Sequence, residues 1–322
     1  MIQPGTSTSV RPAPVRVAIC IATYRRPRML STLMKALDRL AFRKVSEPFV
    51  TVIVIDNDAN SSARATIEQA AGGARWPLCY GIESRRGISY ARNRAVAAAG
   101  NECDFVVFID DDEVPCRSWL DELLFVQASH HADVVAGPVL SHFEESPPEW
   151  IARARCFERP RYRTGHHLAF AGTGNVLIRN SLLAGQPDPF DPRFALSGGE
   201  DTHLFMRLHD AGARMVWADE AVVQERVPPS RANWWWVLQR AYRGGNTISL
   251  CELDVRPGRG VRWVRAAKGA ARIAQGIGLL SVAPTSGILG LVDASFRIGQ
   301  GLGMVAGVLG WRYEEYRRVH GT

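Results

Sequence analysis

The chain has 322 residues, of which 46% are hydrophobic, and it carries a formal net charge of +7. This length allows about two domains, or one large domain with an extension, and the apolar content is ample for a sizeable core. The positive charge favours an anionic partner: nucleic acid, an anionic membrane surface or a phosphorylated substrate. The six scattered cysteines form no CxxC pair, which indicates reduced thiols in a cytosolic setting.

Strands and helices alternate along roughly the first 140 residues. Five short apolar runs predict strands, at residues 17–22, 50–55, 78–82, 105–109 and 133–140. Apolar residues at helical spacing predict helices that begin near Pro27, Ile88 and Trp119. Continuous apolar strands between helices are typical of a mostly parallel sheet covered on both faces. The predicted fold class is therefore α/β.

Acidic side chains follow two of these strands. Asp56 and Asn57 end the second strand, and Asp110, Asp111 and Asp112 end the fourth. Ligands in open α/β sheets bind just beyond the carboxyl ends of the strands. Carboxylates packed this closely repel one another unless a cation lies between them, and their oxygen atoms suit Mg2+ or Mn2+. The alternative is a solvated acidic turn, or a helix N-terminus that collects negative charge.

The alternation breaks between about residues 141 and 200. Residues 144–163 hold three prolines among charged residues and are predicted to form a loop, with a short helix at most. A predicted strand over residues 170–178 is interrupted by Gly172 and Gly174, which either let the backbone approach a sugar closely or form a β-bulge. A helix is predicted from Asp201 to Ala211, followed by one or two short strands.

The last 70 residues differ in kind from the rest of the chain. A basic stretch, residues 256–272, precedes an uncharged run over residues 273–292 that has Pro284 in its middle. This run reaches the length of about 20 residues that a membrane span needs, but its proline and glycines weaken a straight helix. Basic residues at both ends favour a cytoplasmic location for each end. A re-entrant hairpin or an interfacial helix pair is predicted; the alternative is ordinary buried helices or a dimer interface.

Six motifs resemble, in order and separation, those of the family 2 glycosyltransferases of GT-A fold. They are Thr23-Tyr24-Arg25-Arg26-Pro27, Ile55-Asp56-Asn57, Gly87 with Arg92-Asn93, Phe108-Ile109-Asp110-Asp111-Asp112-Glu113, Gly172 with Gly174-Asn175, and Gly199-Glu200-Asp201. The resemblance covers roughly residues 16–225 and implies a Rossmann-like, mostly parallel sheet flanked by helices. We therefore expect a flexible tail over residues 1–15, a GT-A domain over 16–253 and a helical, membrane-associating extension over 254–322.

The resemblance also implies roles for individual residues. Asp110 and Asp112 match the metal-binding DxD motif, with Asp112 as the direct ligand of Mg2+ or Mn2+. Asp201 matches the catalytic base, with Glu200 beside it, and helix capping is the alternative for this pair. Binding of the donor nucleotide is implied for Thr23, Tyr24, Arg26, Asp56, Asn57, Arg92, Asp110 and Asp111. Binding of the donor sugar or the acceptor is implied for Gly174, Asn175, Arg240 and Arg243.

Two positions depart from the pattern of this family. Asp56-Asn57 stands where many relatives have paired aspartates, which leaves the preferred nucleotide base open. The segment from Gln239 to Gly244 matches only in part the Gln-x-x-Arg-Trp segment of processive relatives. This difference argues for the addition of one sugar per acceptor. Arg92 has an alternative as well, that of a solvent-facing helix arginine.

The implied reaction is inverting transfer of a sugar from a nucleotide-diphosphate donor to a hydroxyl of a saccharide acceptor. The acceptor is expected on a polyprenyl diphosphate, in exopolysaccharide or cell-envelope synthesis at the cytoplasmic face of the inner or plasma membrane, without a nucleic-acid partner. One alternative is a sugar-phosphate nucleotidyltransferase, which usually needs an early Gly-rich phosphate loop that this chain lacks. The other is a non-catalytic membrane-associated scaffold, which would tolerate the loss of Asp112 and Asp201.

Overall fold

The structure, a computed structural model, describes residues 14–154 and 156–314, except for the side chains of residues 282–286. Most of the predicted tail, residues 1–15, and the last part of the predicted extension, residues 315–322, lie outside this description. The strands are β1 (Arg16–Thr23), β2 (Phe49–Asp56), β3 (Leu78–Ile82), β4 (Phe105–Ile109), β5 (Glu113–Pro115), β6 (Val134–Ala136), β7 (Val139–Phe143), β8 (Asn175–Arg179), β9 (Met215–Trp217) and β10 (Val223–Val227). The helices are α1 (Pro27–Leu37), α2 (Arg64–Ala71), α3 (Ile88–Ala99), α4 (Trp119–His130), α5 (Glu149–Ala154), α6 (Glu200–Asp210), α7 (Trp234–Val255) and α8 (Arg259–Val308).

Seven of these strands form the central sheet, in the order β3-β2-β1-β4-β8-β6-β9. The first four in that order are parallel to one another, β8 is antiparallel to both of its neighbours, and β9 is parallel to β6. The prediction of an α/β fold with a mostly parallel sheet is therefore confirmed. The register pairs Thr23 of β1 with Asp56 of β2, and β4 lies on the other side of β1. The carboxyl ends of these three strands consequently meet at one edge of the sheet.

Both faces of the central sheet are buried. Successive residues of a strand point to opposite faces, so Ile19 packs in one core cluster while Ala18 and Cys20 pack in another. The first cluster includes Leu33 of α1 and residues of α4, and the second includes Phe205 of α6 and residues of α3. This double cover explains why the strands read as continuous apolar runs rather than alternating ones.

A small second sheet contains β5, β10 and β7. The prediction of a single strand over residues 133–140 is wrong, because the chain passes from the central sheet to the small sheet at Gly137 and Pro138. Proline has no backbone N–H to continue a ladder, and a Cβ added to Gly137 would lie 2.4 Å from the carbonyl oxygen of Ala221. The strand predicted over residues 170–178 begins only at Asn175.

The helices α7 and α8 form a separate helical layer. α8 turns back at Gly287, whose φ of 60° and ψ of −150° suit glycine. The turn divides α8 into a first arm, residues 259–286, and a second arm, residues 288–308. The arms are antiparallel, since Gly276 on the first lies against Ala294 on the second and the earlier Gly269 lies against the later Gly301. The predicted pair of C-terminal helices is thus present, and within the part of the chain that the structure describes no helix has the length and apolar character needed to cross a membrane.

Glycines bring the helices of this layer close together. α7 runs parallel to the second arm of α8, with Leu238 against Gly299 and Tyr242 against Gly303. A Cβ added to Gly303 would lie 1.9 Å from the carbonyl oxygen of Tyr242. Glycine is unfavourable inside an exposed helix, but here it permits a backbone contact that any side chain would block.

Candidate active site

A cavity of about 560 Å³ lies beyond the carboxyl ends of β1 and β4, between these strands and helices α6 and α7. Thirteen of the fifteen predicted site residues line it: Thr23, Tyr24, Arg26, Asn57, Arg92, Asp110, Asp111, Asp112, Gly174, Glu200, Asp201, Arg240 and Arg243. They come from β1, α3, α6, α7 and the loops that join the strands and helices, so the fold gathers residues that are far apart in sequence.

The three consecutive aspartates have different surroundings. Asp111 is enclosed, since its Oδ2 accepts a hydrogen bond from Thr23 Oγ1 at 2.7 Å and its Oδ1 pairs with Arg26 at 3.0 Å. Arg26 also reaches Asp112 Oδ2 at 3.1 Å. Asp110 is the most accessible of the three, with 41% of its side chain exposed. Asp111 therefore fixes the turn, while Asp110 and Asp112 face the cavity.

Burial gives these carboxyl groups unusual electrostatics. It raises the pKa of Asp112 to about 7, and the charge of Asp111 adds to the effect. Burial also raises the pKa of Asp111 and of Glu113 behind the turn, and the attraction of Arg26 opposes the shift at Asp111. A cation near the turn would favour the ionised forms of these groups. The described contacts of Asp110 use Oδ1 and those of Asp112 use Oδ2, so each keeps a second oxygen for such a ligand.

Arg92 connects the acidic turn to helix α6. Its guanidinium pairs with Asp110 Oδ1 at 2.9 Å and with Glu200 Oε1. The alternative of a solvent-facing arginine is therefore wrong, because Arg92 is buried. Burial raises the pKa of Glu200 to about 7, although the charge of Arg92 opposes this shift. Glu200 is thus a buried anchor for α6, although it also lines the cavity.

Asp201 follows Glu200 in the first turn of α6 and is more accessible than Glu200. Its Oδ1 accepts a hydrogen bond from the backbone N–H of Thr202 at 2.6 Å, and its Oδ2 points toward Gly172. The N-cap of α6 is Gly199, which has no side chain to cap the helix, and the bond from Thr202 satisfies one backbone N–H of the first turn, so Oδ1 of Asp201 has a capping role. The arrangement leaves Oδ2 of Asp201 directed at the cavity.

The loop residues at the other end of the cavity surround the Tyr24 ring. The guanidinium groups of Arg25 and Arg86 lie 5.1 and 5.4 Å from the centre of that ring. Asn57 donates hydrogen bonds from Nδ2 to two carbonyl oxygens of the loop that follows β3, at 2.9 and 2.7 Å, and its Oδ1 accepts one from Gly87 at 2.8 Å. Asn57 therefore holds the loop that forms this wall.

Asp56 does not line the cavity, in contrast to its predicted role at the nucleotide. Its side chain is fully buried and accepts hydrogen bonds from the N–H of Ala63 at 2.7 Å and from the Tyr80 hydroxyl at 3.0 Å. These bonds close the turn that leads into α2. The physical reason is direction, because the Asp56 side chain points into the sheet edge while Asn57 points outward.

Asn175 also lies away from the cavity, so its predicted contact with the donor sugar is not supported. Its Oδ1 accepts a hydrogen bond from Trp119 Nε1 at 2.7 Å, and its Nδ2 donates to Pro138 O at 3.0 Å and Ala221 O at 2.6 Å. The side chain thus joins β8 to α4 and to the chain entering the small sheet. Gly174 beside it does line the cavity, and a Cβ there would lie 2.5 Å from Glu113 Oε1.

A basic wall faces the acidic turn across the cavity. It comprises Arg159, Arg231, Arg240 and Arg243. Arg240 lies over the Trp236 ring, 5.1 Å from its centre, and Trp236 stacks on Phe157 at 4.8 Å. Burial lowers the pKa of Arg240 to about 10, and the neighbouring Arg159 adds to the effect. A guanidinium in such surroundings gains from an anionic ligand.

Two residues of this wall, Arg159 and Arg231, were absent from the sequence prediction. Arg159 pairs with Glu225 at 2.6 Å, and Arg231 lies 3.4 Å from Glu225 and 3.5 Å from Asp112. Arg159 belongs to a segment predicted as a loop with a short helix at most, and Arg231 follows β10. No local pattern marks them, because both pair with Glu225 on β10 of the small sheet, which the sequence did not predict.

A second acidic cluster lies outside the cavity. Asp191, His203 and Asp254 have potential ligand atoms within 4.8 Å of one another. Arg193 pairs with the two carboxylates at 2.6 and 2.7 Å, and His203 Nε2 lies 2.9 Å from Asp254 Oδ2. The hydrogen bond from Arg193 holds the pKa of Asp254 below its usual range. Since a guanidinium already offsets the negative charge, we interpret this cluster as an ion-paired link between α6 and α7.

The sequence matches the family model described as glycosyl transferase family 2 over residues 18–184, which is more than half of the chain. The chain belongs to this family and is a glycosyltransferase. It is 32% identical, over 263 residues, to the succinoglycan biosynthesis protein ExoM of Rhizobium meliloti, a match that covers 80% of this chain and 81% of that protein. The family match favours a transferase over the nucleotidyltransferase and scaffold alternatives.

Solved structures of glycosyltransferases share the fold. The mannosyltransferase PcManGT of Pyrobaculum calidifontis, in complex with GDP-Man and Mn2+, superposes with a TM-score of 0.62 at 17% identity, over 93% of this chain and 88% of that one. Residues 1–349 of TarS from S. aureus, in complex with UDP, superpose with a TM-score of 0.53 at 15% identity, over 93% of each chain. At these identities the comparison concerns the fold, and it agrees with the predicted GT-A architecture.

Proposed function

We propose that this enzyme transfers one sugar, with inversion, from a nucleotide-diphosphate donor to a hydroxyl of a saccharide carried on a polyprenyl diphosphate. The assembly of an exopolysaccharide at the cytoplasmic membrane surface is the proposed setting, in line with the relative from succinoglycan biosynthesis. The observation that carries the proposal is that one cavity is lined by the Asp110 and Asp112 pair, by Asp201 and by a wall of arginines.

The proposed cofactor is Mg2+ or Mn2+, held by Asp110 and Asp112. Each of these carboxylates keeps an oxygen without a hydrogen-bond or ion-pair partner among the described residues, and oxygen donors suit these hard cations. The mannosyltransferase with the same fold was solved with Mn2+. A divalent cation supplies charge neutralisation to a leaving nucleotide diphosphate. Arg26 assists from the protein side, because it keeps Asp111 and Asp112 in place.

The nucleotide is proposed to bind at the end of the cavity that holds Tyr24 and Asn57. The aromatic ring of Tyr24 offers a face for a base, and Arg86 stands over the same ring. Asn57 shapes the adjoining loop rather than reading the base with its own amide, since both ends of that amide are already engaged. Thr23 contributes through Asp111, which it holds by a hydrogen bond.

Asp201 is proposed as the general base. Its Oδ2 faces the cavity beside Gly172, where the absence of a side chain leaves room for an acceptor hydroxyl. The carboxylate of Asp201 accepts the proton as that hydroxyl attacks the anomeric carbon. The attack comes from the face opposite the nucleotide diphosphate, which leaves. Glu200 is buried against Arg92, so it positions the start of α6 and does not compete for this role.

The acceptor is proposed to lie along the basic wall. Arg240 and Arg243 project from α7 into the cavity, and the planar guanidinium group binds phosphate oxygens in pairs. A diphosphate that links a saccharide to a lipid is an anion of suitable charge for this wall. Trp236 adds a flat apolar surface next to Arg240, of the kind on which a sugar ring packs.

A transfer assay with a panel of nucleotide sugars tests the proposal. The protein is incubated with Mn2+, a polyprenyl-diphosphate saccharide and each donor in turn, and sugar in the organic phase is measured. We expect one donor to give a lipid-linked product whose new linkage has the opposite anomeric configuration to the donor, as NMR would show. Retention of configuration, or donor hydrolysis without transfer, would contradict the single-displacement mechanism.

A further inference from the structure

The end of the α8 hairpin extends beyond the helix that supports it. The contacts between α7 and the second arm of α8 give residue offsets between 55, for Gly245 with Gln300, and 61, for Tyr242 with Gly303. α7 begins at Trp234, which these offsets place level with residues 289 to 295. The second arm of α8 begins after the turn at Gly287, two to eight residues away, which corresponds to about 3–12 Å of helix.

This overhanging end is apolar and open to solvent. We call it the tip and define it as residues 277–281 and 287–291. Four aliphatic side chains on it, Ile277, Leu280, Ile288 and Leu291, are between 41% and 58% exposed. The sequence from 273 to 292 contains no charged residue. Scattered exposed aliphatic residues are ordinary, but a cluster on a projecting end marks an interaction surface.

Basic and aromatic residues surround the base of the tip. Lys268 and Arg272 lie on the first arm behind it, and the first arm contains no acidic residue. Asp293 on the second arm pairs with Arg297 at 3.1 Å, so its charge is offset. Trp235, at the first turn of α7, is 73% exposed. Amphipathic rings and basic side chains behind an apolar segment are typical of proteins that bind the surface of an anionic bilayer.

We propose that the tip inserts into one leaflet of an anionic membrane and that the protein binds the bilayer without crossing it. The overhang of about 3–12 Å is comparable to the depth of about 5–10 Å that interfacial helices reach. It is far shorter than the hydrocarbon thickness of about 30 Å. A second copy of this chain is a less suitable partner for the tip, because the basic first arms of the two copies would face each other.

Insertion of the tip would orient the active site. Trp235 and Trp236 are neighbours in α7, yet Trp235 is exposed near the tip while Trp236, Arg240 and Arg243 line the cavity. The helix at the membrane surface is thus also the helix of the basic wall. This consequence rests on the proposed function, because it places the wall near the diphosphate of a lipid-linked acceptor in the headgroup layer.

Vesicle flotation with the full-length protein tests the inference. Vesicles of phosphatidylcholine alone are compared with vesicles of phosphatidylcholine and phosphatidylglycerol. We expect binding to the anionic vesicles to be stronger by about tenfold or more, from the basic residues behind the tip. The double variant Ile288→Asp with Leu291→Asp should lose most of this binding. Its matched control is Leu302→Asp, on the same arm but away from the tip, where Leu302 is 49% exposed, as Ile288 is.

The expected result is that the control binds like wild type while the tip variant stays in the soluble fraction with an unchanged melting temperature. Wild-type flotation by the tip variant would overturn the inference. So would a tip-dependent dimer in light scattering without vesicles. Flotation needs no catalysis, so Asp201→Asn should float normally. Vesicle binding without any sugar transfer would therefore refute the proposed function and leave the membrane inference standing.

Discussion

Replacement of Asn175 by alanine separates a structural role for this residue from the predicted role at the donor sugar. The substitution removes the partner of Trp119 Nε1 and the described partner of Ala221 O, whereas Pro138 O keeps a hydrogen bond from Val223. Two buried polar groups are therefore left unpaired. At about 1–3 kcal/mol for each such group, the free energy of unfolding should fall by about 3 kcal/mol.

The assay combines urea denaturation, followed by tryptophan fluorescence, with a nucleotide titration of the folded protein. We expect Asn175→Ala to unfold at a clearly lower urea concentration and to bind nucleotide like wild type under folding conditions. Asn101→Ala, at an exposed position, is the matched control and should change neither quantity. Near-normal stability with a large loss of donor affinity would refute our interpretation and restore the predicted role of Asn175 at the donor sugar.

Three further perturbations test other parts of the structure. Asp112→Asn should abolish the effect of Mn2+ on nucleotide affinity and match wild type treated with a chelator; metal-dependent binding by this variant would contradict the ligand assignment. Arg193→Met should lower the stability near neutral pH and reduce the further loss of stability below about pH 4. The reason is that the lowered pKa of Asp254 contributes stability above its unfolded pKa, and this contribution is lost as the pH falls. Arg39→Met, at an exposed position, is the control, and an unchanged acid transition in Arg193→Met would contradict the ion-paired link between α6 and α7. Gly303→Ala should destabilise the helical layer by about 1–3 kcal/mol, since its Cβ would overlap Tyr242 O. Gly278 has open space around it, so Gly278→Ala should be neutral or slightly stabilising in thermal melts. Equal melting temperatures for the two variants would contradict the described packing of α7 against α8.

The sequence predictions that the structure confirms depend on local patterns or on a simple rule of α/β folds. The β3 strand has the predicted bounds, and α3 ends before Gly100 as expected, because a short apolar run and a helix-ending glycine act over a few residues. The acidic turn after β4 lies at the cavity because parallel strands present their carboxyl ends at one edge. These features needed no knowledge of distant contacts.

The signals that failed depend on tertiary direction. Asp56 and Asn57 are adjacent and equally polar, yet one closes a turn inside the protein and the other reaches the cavity wall. The side chain of Asn175 is hydrogen-bonded to partners on α4 and beside the small sheet, and no sequence pattern near Asn175 predicts these partners. The small sheet itself was missed where the chain changes sheets at Pro138. Arg159 reaches the basic wall only because that sheet exists.

The most direct test of the central claim is the turnover of Asp201→Asn with the productive donor and acceptor. The variant is compared with Asp293→Asn, which changes an exposed aspartate on the second arm of α8. If Asp201 is the base, its variant should bind donor with wild-type affinity and transfer sugar about 100-fold or more slowly, the usual scale for the loss of a general base. The control should transfer at the wild-type rate. Wild-type turnover by Asp201→Asn, or a loss confined to donor binding, would contradict the mechanism.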